Sequence, residues 1–270
     1  MTQASALTDL AALARNRARA DATALFLQEA ARDELQDRVE MVNKPFQDAA
    51  IVTGFPQVWG QTGDHIVADA DTLAIKQGAH DLVMHSLGLH WANDPVGQLI
   101  QCRRALRPDG LLLAASLGGQ SLHELRTCLA EAEIAVTGGL SPRVAPMAEL
   151  RDLGALLQRT GLALPVADSV PFTVQYRDMW HLMRDLRNMG EGNALNTRLR
   201  TLTRRAIFDR AADVYAANYP SDTGGIVATF EIIVLTGWAP DASQPQPLRP
   251  GSASARLADA LGADETSLPD

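Results

Sequence analysis

Ser86 and His90 have both the chemistry and the setting of a reactive edge. They follow the apolar run Asp81-Leu82-Val83-Met84-His85. Such a run reads as a buried strand, and open α/β sheets bind ligands at the carboxyl ends of their strands. His90 is the candidate catalytic residue, as a proton shuttle, because an imidazole gains and loses its proton near neutrality. The competing reading is a packed, hydrogen-bonded histidine beside Trp91, itself more readily a core residue or pocket wall than a stacking platform. His85, His90 and Asp94 are donor types that suit iron. The two histidines are five apart, which matches no ligand motif, and adjacent strand residues point to opposite faces. No metal is expected. His123-Glu124 lacks the second histidine of H-E-x-x-H, and no Ser/His/Asp set has a nucleophile elbow. Gly118-Gly119 either admits a ligand closely or hinges the chain. Arg143, Arg151 and Glu191 read as ordinary surface charges.

Alternating helices and strands must position these residues. Apolar residues at three-to-four spacing (Leu7, Leu10, Leu13, then Leu25, Leu27, Leu35, Val39) predict helices over 5–20 and 22–40. Ala49 to Thr53 predicts a buried strand ending at Gly54, and Gln57 to Gln61 a short helix. Further strands are expected at His65–Asp69, Asp81–Ser86, Leu111–Ser116, 164–174 and Ala228–Trp238. Helices are expected at about 95–107, 122–135, 147–160, 178–189 and 195–218. Arg107-Pro108-Asp109-Gly110 reads as a turn. Strands alternating with helices predict a mostly parallel sheet covered on both faces.

The chain has 270 residues, 46% of them hydrophobic and 21% charged, enough to bury a core. Its formal charge of −8 disfavours a nucleic-acid partner. The cluster Arg15, Arg17, Arg19 reads as the solvated face of a helix. Cys102 and Cys128 form no C-x-x-C pair and read as buried reduced thiols. No stretch approaches the ~20 apolar residues of a membrane span, and Asp9 and the early arginines interrupt any signal-peptide core. A cytoplasmic protein is expected, with peripheral membrane association left open. From Pro240 the composition turns to Pro, Ser, Ala and Gln, and a weakly ordered tail is expected there.

The strand at Asp81-Leu82-Val83, the loop Leu87-Gly88-Leu89-His90-Trp91-Ala92-Asn93-Asp94 and the run Arg104-Ala105-Leu106-Arg107-Pro108-Asp109-Gly110-Leu111 resemble class I S-adenosylmethionine-dependent methyltransferases. Gly118 to Arg126, Gly138 to Arg143, Asp185 to Asn193 and Thr229 to Trp238 are similar to the methyltransferase-like complex I assembly factor family. That resemblance implies an α/β fold: a truncated Rossmann-like methyltransferase sheet, mostly parallel, with a helical cap insertion. It implies N-terminal helices over 1–45, an α/β domain over 46–240 with its cap at about 118–160 and 178–220, and the tail over 241–270. It implies S-adenosylmethionine as cofactor, held at Thr53, Gly54, Asp69, Ser86 and Trp91, and a respiratory complex I subunit as partner. Mitochondrial members of that family are associated with hydroxylating an arginine of such a subunit.

The sequence departs from the superfamily pattern in one region. The first strand runs into Thr53-Gly54-Phe55-Pro56, with one glycine where G-x-G is usual, and Pro56 has no N–H to offer a ligand. Ten residues separate Gly54 from His65, and a single parallel crossover already takes about ten to twelve. One βαβ unit, with the acid that grips the ribose, is therefore expected to be missing. Weak or absent binding of S-adenosylmethionine in the usual pose follows. Asp69 either faces the adenine or caps a turn. The functional expectation is a transferase-family protein acting on a protein side chain in complex I assembly. A non-catalytic assembly or binding protein is the alternative. Small-molecule methylation, as in malonyl-carrier methyltransferases, ranks last.

Overall fold

The computed structural model describes residues 6–60 and 65–245. Expectations for Gln61, for residue 5 and for the tail from 246 onward lie outside the described residues. The chain divides into two units, Met1–Pro240 and Asp241–Asp270. The second unit contributes only a turn at 241–245 to the described part.

Apolar runs become strands wherever both faces are covered. β1 (Ala49–Thr53), β2 (His65–Val67), β3 (His80–Ser86), β4 (Leu106–Leu117), β5 (Ala163–Tyr176) and β6 (Ile226–Trp238) form one sheet in the order β2-β1-β3-β4-β6-β5. β1 lies parallel to β2 and to β3, and β3 parallel to β4. β6 runs antiparallel to β4 and to β5. Five of the six strands thus point one way, the mostly parallel α/β arrangement that the alternating elements predict.

Alternation along β4 shows how the sheet is covered. Leu111, Leu113, Ala115 and Leu117 face one core, with Leu27, Ala31 and Leu35 of α2 (Phe26–Met41). The same core takes in Leu125 and Cys128 of α4 (His123–Thr137), Leu182 of α6 (Met179–Asn188) and Tyr215 of α7 (Arg205–Asn218). Leu112 and Ala114 face the other core, with Leu99 and Cys102 of α3 (Pro95–Ala105) and Leu153 and Leu157 of α5 (Leu150–Arg159). Both cysteines are free and buried, one in each core. The segment 118–160 therefore divides between the two faces of the sheet.

Four local expectations need correction. The first helix is shorter than 5–20: α1 spans Leu10–Arg17, capped by Asp9, whose carboxylate accepts from the Ala12 N–H (3.0 Å). The short helix near Gln57 is a 3-10 turn at Pro56–Val58, with Pro56 as its first residue. Arg107 to Gly110 belongs to β4, where Asp109 adopts a left-handed φ of 58° and the register against β3 shifts. It is a bulge in a strand rather than a turn before one. Finally, residues 195–204 are not helical. Asn193 Oδ1 accepts from the Leu195 N–H (3.0 Å), and Arg198 reaches both the Leu195 carbonyl (2.7 Å) and Asp9 (2.9 Å). Those side-chain bonds hold the backbone in a competing conformation. Among the described residues no helix is long and apolar enough to cross a membrane.

Candidate functional site

From β1 the chain crosses to β2 on one side, while β3 leads to β4 on the other. The crevice between the carboxyl ends of β1 and β3 is therefore the switch point at which open α/β sheets bind ligands. Thr53 and Ser86 are register partners there. Thr53 is buried, and its hydroxyl accepts from the Phe55 N–H (3.1 Å). Gly54 and Gly88 border the same crevice, and Asp69 follows the end of β2.

A side chain from the N-terminal helix fills this place. Arg17, the last residue of α1, forks onto Asp69, Nη1 to Oδ1 at 2.7 Å and Nη2 to Oδ2 at 2.8 Å. The two side chains are 13% and 8% exposed. The guanidinium lies 5.5 Å from the ring centroid of Phe55. A Cβ on Gly54 would collide with that guanidinium, and a Cβ on Gly88 with the Asp69 carboxylate. Arg17 reads from the sequence as part of a solvated face; the structure buries it against a carboxylate 52 residues away. The helix is fixed to bring it there: Asn16 donates to the Gly192 carbonyl (2.9 Å), and the Asp21 N–H to the Asn188 carbonyl (2.7 Å). The S-adenosylmethionine that the resemblance implies does not fit the crevice in this state. Both oxygens of Asp69 are taken, and the guanidinium lies where a ligand would approach Gly54.

Beside this pair, a second polar chain supports β3. Gln98 Nε2 donates to the Ala70 carbonyl (3.0 Å), so its Oε1 accepts from His85 Nε2 (2.9 Å). His85 is fully buried, and burial holds its pKa below the ordinary 6.5, against the opposing hydrogen bond of Gln98. Between that lowered value and 6.5 the unfolded chain binds a proton that the folded chain does not. His85 therefore favours the folded state less and less as pH falls below 6.5. His85→Gln is expected to flatten the decline of Tm across that window, as thermal melts from pH 7 to 5 would record. An unchanged slope would place the acid sensitivity elsewhere.

The third cluster centres on Glu191, expected at the surface and found buried, its side chain 5% exposed. Its Oε2 accepts from Trp91 Nε1 (2.7 Å) and lies 3.2 Å from His90 Nε2. Its Oε1 accepts from Gln28 Nε2 at 3.2 Å. Burial pushes the carboxyl pKa up, but His90, the Trp91 N–H and Arg17 outweigh it, and the pKa lies below the usual value. His90 is thus packed beside Trp91, with its Nε2 against a buried carboxylate. Five buried polar atoms around these clusters, Arg17 Nε, Gln28 Oε1, His85 Nδ1, Ser86 Oγ and His90 Nδ1, have no protein partner. Arg143 is likewise no surface charge. It forks onto the buried Glu133 (2.9 and 2.8 Å) and reaches Thr203. Arg151 is exposed. Asp94 caps α3 by accepting from the Gly97 N–H (2.8 Å). Among the described residues no three histidine, cysteine or acidic side chains are grouped to hold a metal ion.

A cavity of about 420 Å³ adjoins Trp91 and Glu191. Its lining is mostly apolar, including Leu125, Leu129, Met183 and Phe230, with Arg19 and Arg187 among its exposed members. Of the sequence-predicted residues only Trp91 lines it. Thr53, Gly54, Asp69 and Ser86 belong to the crevice instead. The sequence offered one signal for Glu191, its place inside the family-like string Asp185 to Asn193, and none for Arg17.

A family profile described as a methyltransferase domain matches residues 8–114. The arginine-hydroxylase NDUFAF5, mitochondrial, of Danio rerio is 40% identical over 195 residues, covering 72% of this chain and 60% of that protein. A malonyl-[acyl-carrier protein] O-methyltransferase of Laribacter hongkongensis is 34% identical over 177 residues, covering 66% of this chain and 57% of its own. The chain thus spans about three-fifths of the length of these relatives. A solved structure from Bacillus halodurans covers 77% of this chain and 99% of its own, at 12% identity and a TM-score of 0.49. By these sequence matches the chain is similar to methyltransferase-domain proteins and to the relatives named arginine-hydroxylase NDUFAF5, mitochondrial.

Proposed function

We propose that this methyltransferase-superfamily chain acts on a protein substrate during assembly of respiratory complex I, and that it receives a segment of that substrate in the cavity beside Trp91 and Glu191. The similarity to relatives whose name states a reaction on arginine supports a protein side chain as the target. The observation that carries the reading is the cavity itself. Its roughly 420 Å³ and apolar lining suit a side chain, and the charges of Arg19 and Arg187 favour a segment carrying acidic residues. The site residues assigned to the crevice keep a supporting part: Asp69 and Arg17 fix α1, which supplies Asn16 and lies next to Arg19 in the cavity lining.

A complementation experiment tests this. A native cell lacking the chain is expected to lose assembled complex I, read as NADH:quinone activity in its membranes, and to regain it with the wild-type chain. Met183→Trp, which fills the cavity from α6, is expected to restore less than about a tenth of that activity while melting near the wild-type temperature, since a single overpacked side chain costs about 1–3 kcal/mol. Leu125→Phe, from α4 in the same lining, serves if the first variant is unstable. Full restoration by a folded, cavity-filled variant would remove the proposal.

A further inference from the structure

We propose that Arg17 is a built-in occupant of the switch-point crevice: its guanidinium, fixed by Asp69 and seated on Gly54, replaces the small-molecule ligand that this crevice holds elsewhere in the superfamily, so that the chain does not bind S-adenosylmethionine. The inference goes beyond the assembly role and does not depend on the partner proposed above.

Four observations converge on it. The ion pair is bidentate, at 2.7 and 2.8 Å, and mostly buried, the arrangement in which a planar guanidinium is held most specifically. The ring of Phe55 lies 5.5 Å from the guanidinium carbon, so the cation has an aromatic neighbour as well as a carboxylate. Gly54 and Gly88 lack the Cβ atoms that would collide with the pair, one against each partner. Two close approaches by glycine therefore serve an internal side chain where the superfamily uses such approaches for a ligand. Finally, the β1–β2 connection enters a 3-10 turn opened by Pro56. Among its described residues, 54–60, it presents no α-helix N-terminus to an anion or a ribose. Asp69, Gly54 and Phe55 at this edge all meet Arg17.

Removing the side chain should leave a niche of known chemistry. In Arg17→Ala the lost atoms beyond Cβ are those of ethylguanidinium, which is the probe. Ethylguanidinium at ten times its dissociation constant is expected to raise the Tm of Arg17→Ala by roughly 3–6 °C. It should not raise the Tm of the wild type or of Arg17→Ala/Asp69→Ala, and ethylammonium at equal concentration should do less. Calorimetric titration of the wild type with S-adenosylmethionine to 1 mM, about the upper end of ordinary substrate affinities, is expected to give no saturable heat. Saturable binding to the wild type would overturn the proposal, as would a folded Arg17→Ala that ethylguanidinium does not stabilise. If Arg17→Ala does not fold, the wild-type titration decides the matter alone.

Discussion

Glu191→Ala is expected to lower the stability of the chain by about 3–5 kcal/mol, since it strands several buried polar groups at about 1–3 kcal/mol each. The loss has a definite anatomy. Trp91 Nε1, Gln28 Nε2 and His90 Nε2 all meet the Glu191 carboxylate, and alanine would leave each without its acceptor in a place where the His90 and Glu191 side chains are 1% and 5% exposed. Glu191→Gln keeps an oxygen for Trp91 but removes the charge, and is expected to cost less, about 1–2 kcal/mol. The pH dependence has a fixed sign. The folded carboxyl has a pKa below its ordinary 4.5, so its stabilisation is complete above pH 4.5 and fades as pH falls toward the folded value. Urea unfolding at pH 7 and at pH 3.5 measures both statements. Equal stability of wild type and Glu191→Ala at pH 7 would mean that the cluster tolerates an open carboxylate site. A gap that widened at pH 3.5 would reverse the sign.

The contrast between Glu191 and the strands explains what could be read from the sequence. β1, β3 and β4 are legible because each is an apolar run bounded by Gly, Pro or Asp, and because both faces are buried nearly every residue must be apolar. The ten residues after Gly54 limit the crossover by chain reach alone, and β2 does pair directly with β1. His90 and Trp91 are legible as residues at the carboxyl edge for the same reason of topology. Arg17 is not. It alternates with Arg15 and Arg19 at the end of α1 and just beyond it, and only the fold shows which of the three turns inward to a carboxylate 52 positions away. Glu191 is hidden differently: Gly190-Glu191-Gly192-Asn193 has the composition of an exposed loop, and its burial depends on α1 and on Gln28 of α2 closing over it. The non-helical stretch 195–204 failed for a third reason. Its apolar spacing suits a helix, while Asn193, Arg198 and Asp9 supply side-chain bonds that a periodicity count does not see.

Phe230→Ala should produce the other large loss, about 3–5 kcal/mol, as for other buried phenylalanines. Phe230 is fully buried on β6, the strand that joins the parallel half of the sheet to β5. Its ring stacks on Phe172 at 5.9 Å and meets the edge of Phe26 at 5.8 Å. Two helices and the edge strand cannot close over the gap independently, because Phe230 pairs with Phe172 in the β5 ladder, while the Gly118 and Leu122 N–H groups hold the neighbouring Glu231 and Thr229 carbonyls. The gap also opens into the cavity that Phe230 already lines. The enlarged space would connect with the polar wall at Glu191 and can admit water, which a sealed apolar void of the same size would exclude. Phe172→Ala, on the partly exposed edge strand, removes the same ring from one side only and is expected to cost about 1–2 kcal/mol. Denaturant melts of the two variants therefore separate the ring stack from the position on β6. If Phe172→Ala proved as damaging as Phe230→Ala, the aromatic contact itself would carry the stability. If both were mild, the helices over this face would have to be free to settle onto the sheet.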